Sequence, residues 1–215
     1  MGYDNGQSKA VKNTIIIIII AIVVFALVQH GGRRRGVAGI GDPVQKPAHG
    51  GTEMEIDGYK LNISYLYSYD ISALVVSTHD YAGTDLAGKL APRDFALAWG
   101  TVAQYNDKID FHWRQSGRWY NWQAKSYEEI EPVGGVEGVS KQSANNHIIP
   151  ADDTVRKSIK KIKKGDYIKL TGYLVNIDGA KDDGSTFWWN SSTTRNDTGD
   201  GSCEVIYVTA VTWLD

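Results

Sequence analysis

The sequence predicts a mainly β protein with two or three helices, an α+β domain following an N-terminal transmembrane helix. Three observations lead there: one long uncharged apolar run near the N-terminus, repeated alternation of apolar and polar residues further on, and an unusual supply of large aromatic rings. Seven Trp and twelve Tyr in 215 residues favour strands that pack rings against one another.

The apolar run opens with six isoleucines from Ile15 and continues through Ala21, Ile22, Val23, Val24, Phe25, Ala26, Leu27 and Val28. From Asn13 to Gly32 the only ionisable side chain is His30, and about 20 such residues suffice for a helix to cross a hydrocarbon core. A single-pass anchor over residues 14–32 is the expectation. A cleaved signal peptide fits less well, because Gln29-His30-Gly31-Gly32-Arg33-Arg34-Arg35 offers no small-x-small cleavage site. A buried core helix would need a polar face for solvent, and there is none. Orientation is nearly balanced, with Lys9 and Lys12 before the span and Arg33, Arg34 and Arg35 after it. A cytoplasmic N-terminus and an extracytoplasmic domain are expected, the three arginines weighing against them.

Residues 1–13 then form a tail, 33–52 a Gly- and Pro-containing flexible linker, and 53–215 one compact β domain, a size that can bury a real core. A net charge of −2 excludes a general polyanion binder, and no specific nucleic-acid partner is expected. The single Cys203 excludes an intrachain disulfide.

Within the domain, Tyr59, Leu61, Ile63 and Tyr65 alternate with polar residues after the Asp57-Gly58 turn, which predicts a strand. Residues 71–77 predict another. Pro92 opens an expected helix over 92–104, with Phe95, Trp99 and Val102 as its stripe. Residues 109–123 predict a hairpin turning at Ser116-Gly117, with Phe111, Trp113, Tyr120 and Trp122 on one face and His112, Arg114, Trp119 and Asn121 on the other. The acidic, Gly-rich stretch 126–141 is expected to be an exposed loop. Residues 151–164 predict a helix, with Asp152 and Asp153 in its first turn, lysines in its last and Gly165 beyond. Residues 166–177 predict a strand bent at Gly172, the kind of strand that an OB-like barrel needs, although a β-sandwich with two helices also fits. In Phe187-Trp188-Trp189, neighbouring strand residues point to opposite faces, so one Trp meets solvent or a ligand. A last strand is expected over 203–213.

The runs Gln115-Ser116-Gly117-Arg118-Trp119-Tyr120, 143–151 and 191–204 resemble an uncharacterised family of bacterial membrane-anchored proteins. The resemblance spans most of residues 58–213 and is weaker over 60–89. It implies a small domain behind one N-terminal span, with no assigned activity.

Two functional classes follow. The preferred expectation is a noncatalytic membrane-anchored module, held by residues 14–32, that binds a protein or glycan partner or assembles in a membrane complex. Its candidate contact residues are Arg114, Trp119, His147, Trp189, Ser191, Ser192, Arg195 and Asp197, because a Trp beside an Arg can stack on a planar ligand and the polar run 191–204 can contact a partner. The alternative is a cysteine-dependent hydrolase or transferase in which His147 activates Cys203 and Asp197 or Asn145 orients the ring. Arg195 is also a candidate structural clamp for Asp197 or Glu204. No metal or cofactor is expected: the five histidines lack ligand-like spacing, and Asp197-Thr198-Gly199-Asp200-Gly201 lacks the calcium-loop pattern.

Overall fold

In the computed structural model the described residues are 13–19, 34–196 and 201–214. They fall into two units, one ending at Arg34 and one running from Arg35 to Asp215. In the first, residues 13–19 are helical and exposed. Among the described residues no helix is long and apolar enough to cross a membrane. Most of the expected anchor, residues 20–32, lies outside them.

The described residues of the second unit form ten strands: β1 (Val44–Pro47), β2 (Gly51–Ile56), β3 (Tyr59–Asp80), β4 (Arg93–Ala98), β5 (Arg114–Ser116), β6 (Trp119–Asn121), β7 (Ser143–Pro150), β8 (Tyr167–Ala180), β9 (Thr186–Asn190) and β10 (Glu204–Leu214). Five of them pair in a closed ring. β3 is antiparallel to β4, β4 to β7, β10 to β8 and β8 back to β3, while β7 and β10 run parallel. Closure leaves the ring without a free edge along which another chain could pair. β1 and β2 continue along β3, β9 extends β8, and β5–β6 is a separate hairpin.

The segments expected as two strands, 59–65 and 71–77, are one strand of 22 residues. Its polar middle is explained by neighbours: Ser68 and Asp70 pair with β1, and Asp70 accepts a 2.6 Å hydrogen bond from Thr171 Oγ1 and pairs with Lys169 at 3.0 Å. The expected flexible linker is likewise packed over 35–52. Ile40 is buried, its carbonyl accepts from Gly100 N at 3.0 Å, Val37 N donates to Ala103 O at 3.0 Å, and β1 and the start of β2 lie in this stretch. Few apolar residues hold it, so its sequence carries no period.

The helix expected over 92–104 is also corrected. Phe95, Ala96, Leu97 and Ala98 are all buried and pair on both sides, with β3 and β7, so this is a doubly covered strand. Only Gly100–Tyr105, which starts at a glycine with φ +57°, is helical. The expected loop 126–141 contains helices Tyr127–Ile130 and Gly135–Lys141, which bury Ile130 and Val139.

Other features agree with expectation. Helix Asp153–Lys161 starts at Asp152, whose carboxylate accepts from Val155 N at 2.8 Å, and it buries Val155 and Ile159. Gly172 sits where β8 and β10 approach so closely that an added Cβ would lie 2.0 Å from Tyr207 O, opposite a register shift in β10 between Val208 and Ala210.

Candidate functional site

The pairing of β4 with β7 sets Asp94 directly opposite His147 and Ala96 opposite Asn145. Cross-strand partners share a face, and so do residues two apart, so Asp94, His147 and Asn145 form one patch. The β5–β6 hairpin adds to it. Its turn residues Gly117 and Arg118 have φ values of +57° and +74°, the two positive angles of a twist-matched two-residue turn. The expected turn was one residue earlier. The observed register pairs Arg114 with Asn121 and Ser116 with Trp119, a slip of two, so the division into faces survives.

Arg118 holds a conformation that a non-glycine residue adopts at a cost, and its surroundings fix it there. Its backbone N donates to Tyr81 Oη at 3.1 Å. Nη1 donates to Ala91 O at 2.9 Å and to Asp94 Oδ1 at 2.8 Å, and the guanidinium lies 3.5 Å from the Tyr81 ring centroid.

Asp94 is fully buried, 0 % exposed. Its Oδ2 lies 2.8 Å from Tyr81 Oη, 2.9 Å from His147 Nδ1 and 3.4 Å from Asn145 Nδ2. Both carboxylate oxygens of Asp94 thus have polar partners. Burial first, then the charge of Asp94 and the hydrogen bond to it, push the Tyr81 phenol up from its ordinary value, so Tyr81 keeps its proton. With Nδ1 of His147 directed at the Asp94 carboxylate, Nε2 is the ring nitrogen left for another partner.

The His147 side chain is nearly buried, and its ring centroid lies 4.8 Å from that of Trp189. Cys203 enters just ahead of β10, where Glu204 pairs with Asn146. Its Sγ lies 3.8 Å from both Asn145 Nδ2 and Arg118 O. His147, Cys203, Arg118, Trp119, Trp189 and Ser191 line one cavity of about 430 Å3. Cys203 and Trp119 also line a smaller one of about 160 Å3, together with Arg195 and Glu204.

The structure thus brings together His147, Cys203, Trp119, Trp189 and Ser191 among the residues singled out from sequence. Trp188 also lines the larger cavity but is 72 % exposed, while Trp189 packs inward. Arg114 is exposed, and neither cavity includes it. Ser191 Oγ donates to Ser192 O at 2.8 Å and accepts from Val205 N at 3.0 Å, so it closes the loop onto β10. Ser192 is buried, its Oγ 3.0 Å from Thr194 O. Arg195 is a clamp: it pairs with buried Glu204, donates to Tyr69 Oη and lies 5.2 Å from the Trp99 ring centroid. Burial pushes Tyr69 up to about 12, with the Arg195 charge opposing. Asp197 lies outside the described residues. The ring of His147 is held instead by Asp94, which sequence reasoning passed over together with Tyr81 and Arg118. The available signal was an isolated acid next to the wholly apolar Phe95-Ala96-Leu97-Ala98.

Among the described residues no group of three or more His, Cys, Asp or Glu side chains is arranged to hold a metal ion. The chain matches no protein-family model, no curated protein and no solved structure.

Proposed function

We propose that the domain is a cysteine-dependent hydrolase or transferase working by acyl transfer, with Cys203 as nucleophile, His147 as base and Asp94 as the group that holds the imidazole. The supporting observation is that thiol and imidazole line a single cavity while a fully buried carboxylate holds the far nitrogen of the ring. Nucleophile, base and orienting group are the three roles such chemistry needs. His147 Nε2 takes the thiol proton, the sulfur attacks a carbonyl carbon to form a thioester, and the imidazolium returns the proton to the leaving group. Water or a second nucleophile then cleaves the thioester. Arg118 lines the same cavity and brings positive charge toward the developing oxyanion.

The fold reading that accompanies this is an OB-like barrel. Support comes from the ring order β3-β4-β7-β10-β8, its single parallel contact β7–β10, and a helix between β7 and β8. Residues 14–32 are proposed to tether the domain to a bilayer, with the domain on the extracytoplasmic side; one N-terminal span is also what the resemblance to a bacterial membrane-anchored family implies. A second reading, a noncatalytic module for a protein or glycan partner, is favoured by Trp119 at the cavity, 41 % exposed, and by Trp188.

The test is a panel of p-nitrophenyl esters and aryl thioesters, followed by mass spectrometry of the quenched chain. An acyl mass on the peptide carrying Cys203, absent in Cys203→Ala, is the expected result. No adduct with any acyl donor overturns the proposal in favour of the binding module, and turnover that survives Cys203→Ala overturns the role given to the thiol.

A further inference from the structure

A third cavity, of about 630 Å3, shares no lining residue with the two cavities at Cys203. Its walls come from the segment after β3, the start of β4 and the helix Asp153–Lys161. Four cations line it, Lys89, Arg93, Arg156 and Lys160, against one carboxylate, Asp80.

Two of these cations are committed to the fold. Arg93 Nη1 donates to the carbonyls of Ile159, Lys160 and Ile162 at 2.9, 3.0 and 3.0 Å, closing the end of the helix, and its Nε lies 3.0 Å from Asp80 Oδ1. Lys89 pairs with Asp57. Arg156 and Lys160, one helical turn apart on the same helix, have no acidic partner among the described residues. Two unpaired cations have thus been set on a concave wall that two others already make positive. In a cleft with low-dielectric walls such an arrangement focuses a positive potential, and the repulsion is relieved by an anion of more than one charge.

We infer that this cavity binds a ligand bearing two or more phosphate groups. Size supports it, since about 630 Å3 is within the range of small-molecule sites. Chemistry supports phosphate in particular: the planar guanidinium of Arg156 matches phosphate oxygens in a fork, and Lys160 adds a point charge beside it. Their Cβ atoms, four residues apart on a helix, stand about 5–6 Å from one another, so separate phosphoryl groups can be engaged. The inference does not rest on the thiol chemistry.

The test is calorimetric titration of the full chain, in non-ionic detergent, with sodium tripolyphosphate and, in a parallel arm, with inositol 1,4,5-trisphosphate. One-to-one saturable binding that weakens at higher salt is expected, with Arg156→Gln/Lys160→Gln raising Kd by about tenfold or more. Lys157→Gln/Lys161→Gln removes the same charge from positions outside the cavity lining and leaves Kd unchanged. Tighter tripolyphosphate binding assigns the site to soluble phosphoanhydrides; tighter inositol trisphosphate binding assigns it to a headgroup-type phosphate. Absence of saturable binding to either probe, or equal weakening by the two double variants, overturns the inference.

Discussion

His147 Nδ1 lies 2.9 Å from Asp94 Oδ2, and neither side chain has more than a trace of contact with solvent. The carboxylate also joins the hairpin to the ring of strands, since Arg118 from the β5–β6 turn and Tyr81 just after β3 both reach it. Removing its charge strands a guanidinium that was placed to meet it. Asp94→Asn is expected to lower unfolding free energy by about 3 kcal/mol, the low end for breaking a buried pair because Arg118 keeps some access to water. Urea denaturation monitored by tryptophan fluorescence measures it.

Gly172 faces the backbone of β10, not a side chain that could swing away. Gly172→Ala would place a carbon 2.0 Å from Tyr207 O, so the two strands must separate. A loss of about 1–3 kcal/mol is expected, a fall in Tm of roughly 2–4 °C for each kcal/mol, read in a thermal melt.

Asp152 caps the helix Asp153–Lys161 through its bond to Val155 N. Asp152→Ala is expected to cost about 1 kcal/mol, and Asp152→Asn much less because the amide oxygen can still accept. Chemical denaturation of the two variants side by side checks the difference.

Alkaline stability should report on Tyr69. Burial raises its folded pKa from 10.0 to about 12, although Arg195 pulls the other way. Below pH 10 the phenol is protonated in both states and the contribution is fully present. Between pH 10 and 12 the unfolded chain gives up its proton while the folded one keeps it, so stability falls as pH rises, by roughly 2–3 kcal/mol in all. Tyr69→Phe flattens that limb in urea titrations between pH 9 and 12; an unchanged limb assigns it to Tyr81 and Tyr120, which burial also raises.

What could be seen in the sequence was what is local. The helix beginning near Asp152, the irregularity at Gly172, the two faces of the hairpin and the alternation of Trp188 and Trp189 each follow from a few neighbouring residues. β4 carries no strand signal because a strand covered on both faces has no period of two, and Phe95, Trp99 and Val102 happen to fall at helical spacing. The order of the stretch 35–52 leaves no local signal because it comes from partners such as Ala103 and Gly100, far along the chain. The same holds for the site. Cys203 and His147 were visible as types of residue, but Asp94 gains its meaning only from a strand register that sets it against His147.

The most direct measurement is the rate at which iodoacetamide alkylates Cys203 at pH 7, compared between the unaltered chain and His147→Gln. If the imidazole held by Asp94 takes the proton of the thiol, alkylation slows by about tenfold or more in the variant while its fluorescence spectrum and urea midpoint stay near those of the parent. Equal rates in the two proteins would contradict the pairing of Cys203 with His147, and with it the proposed chemistry.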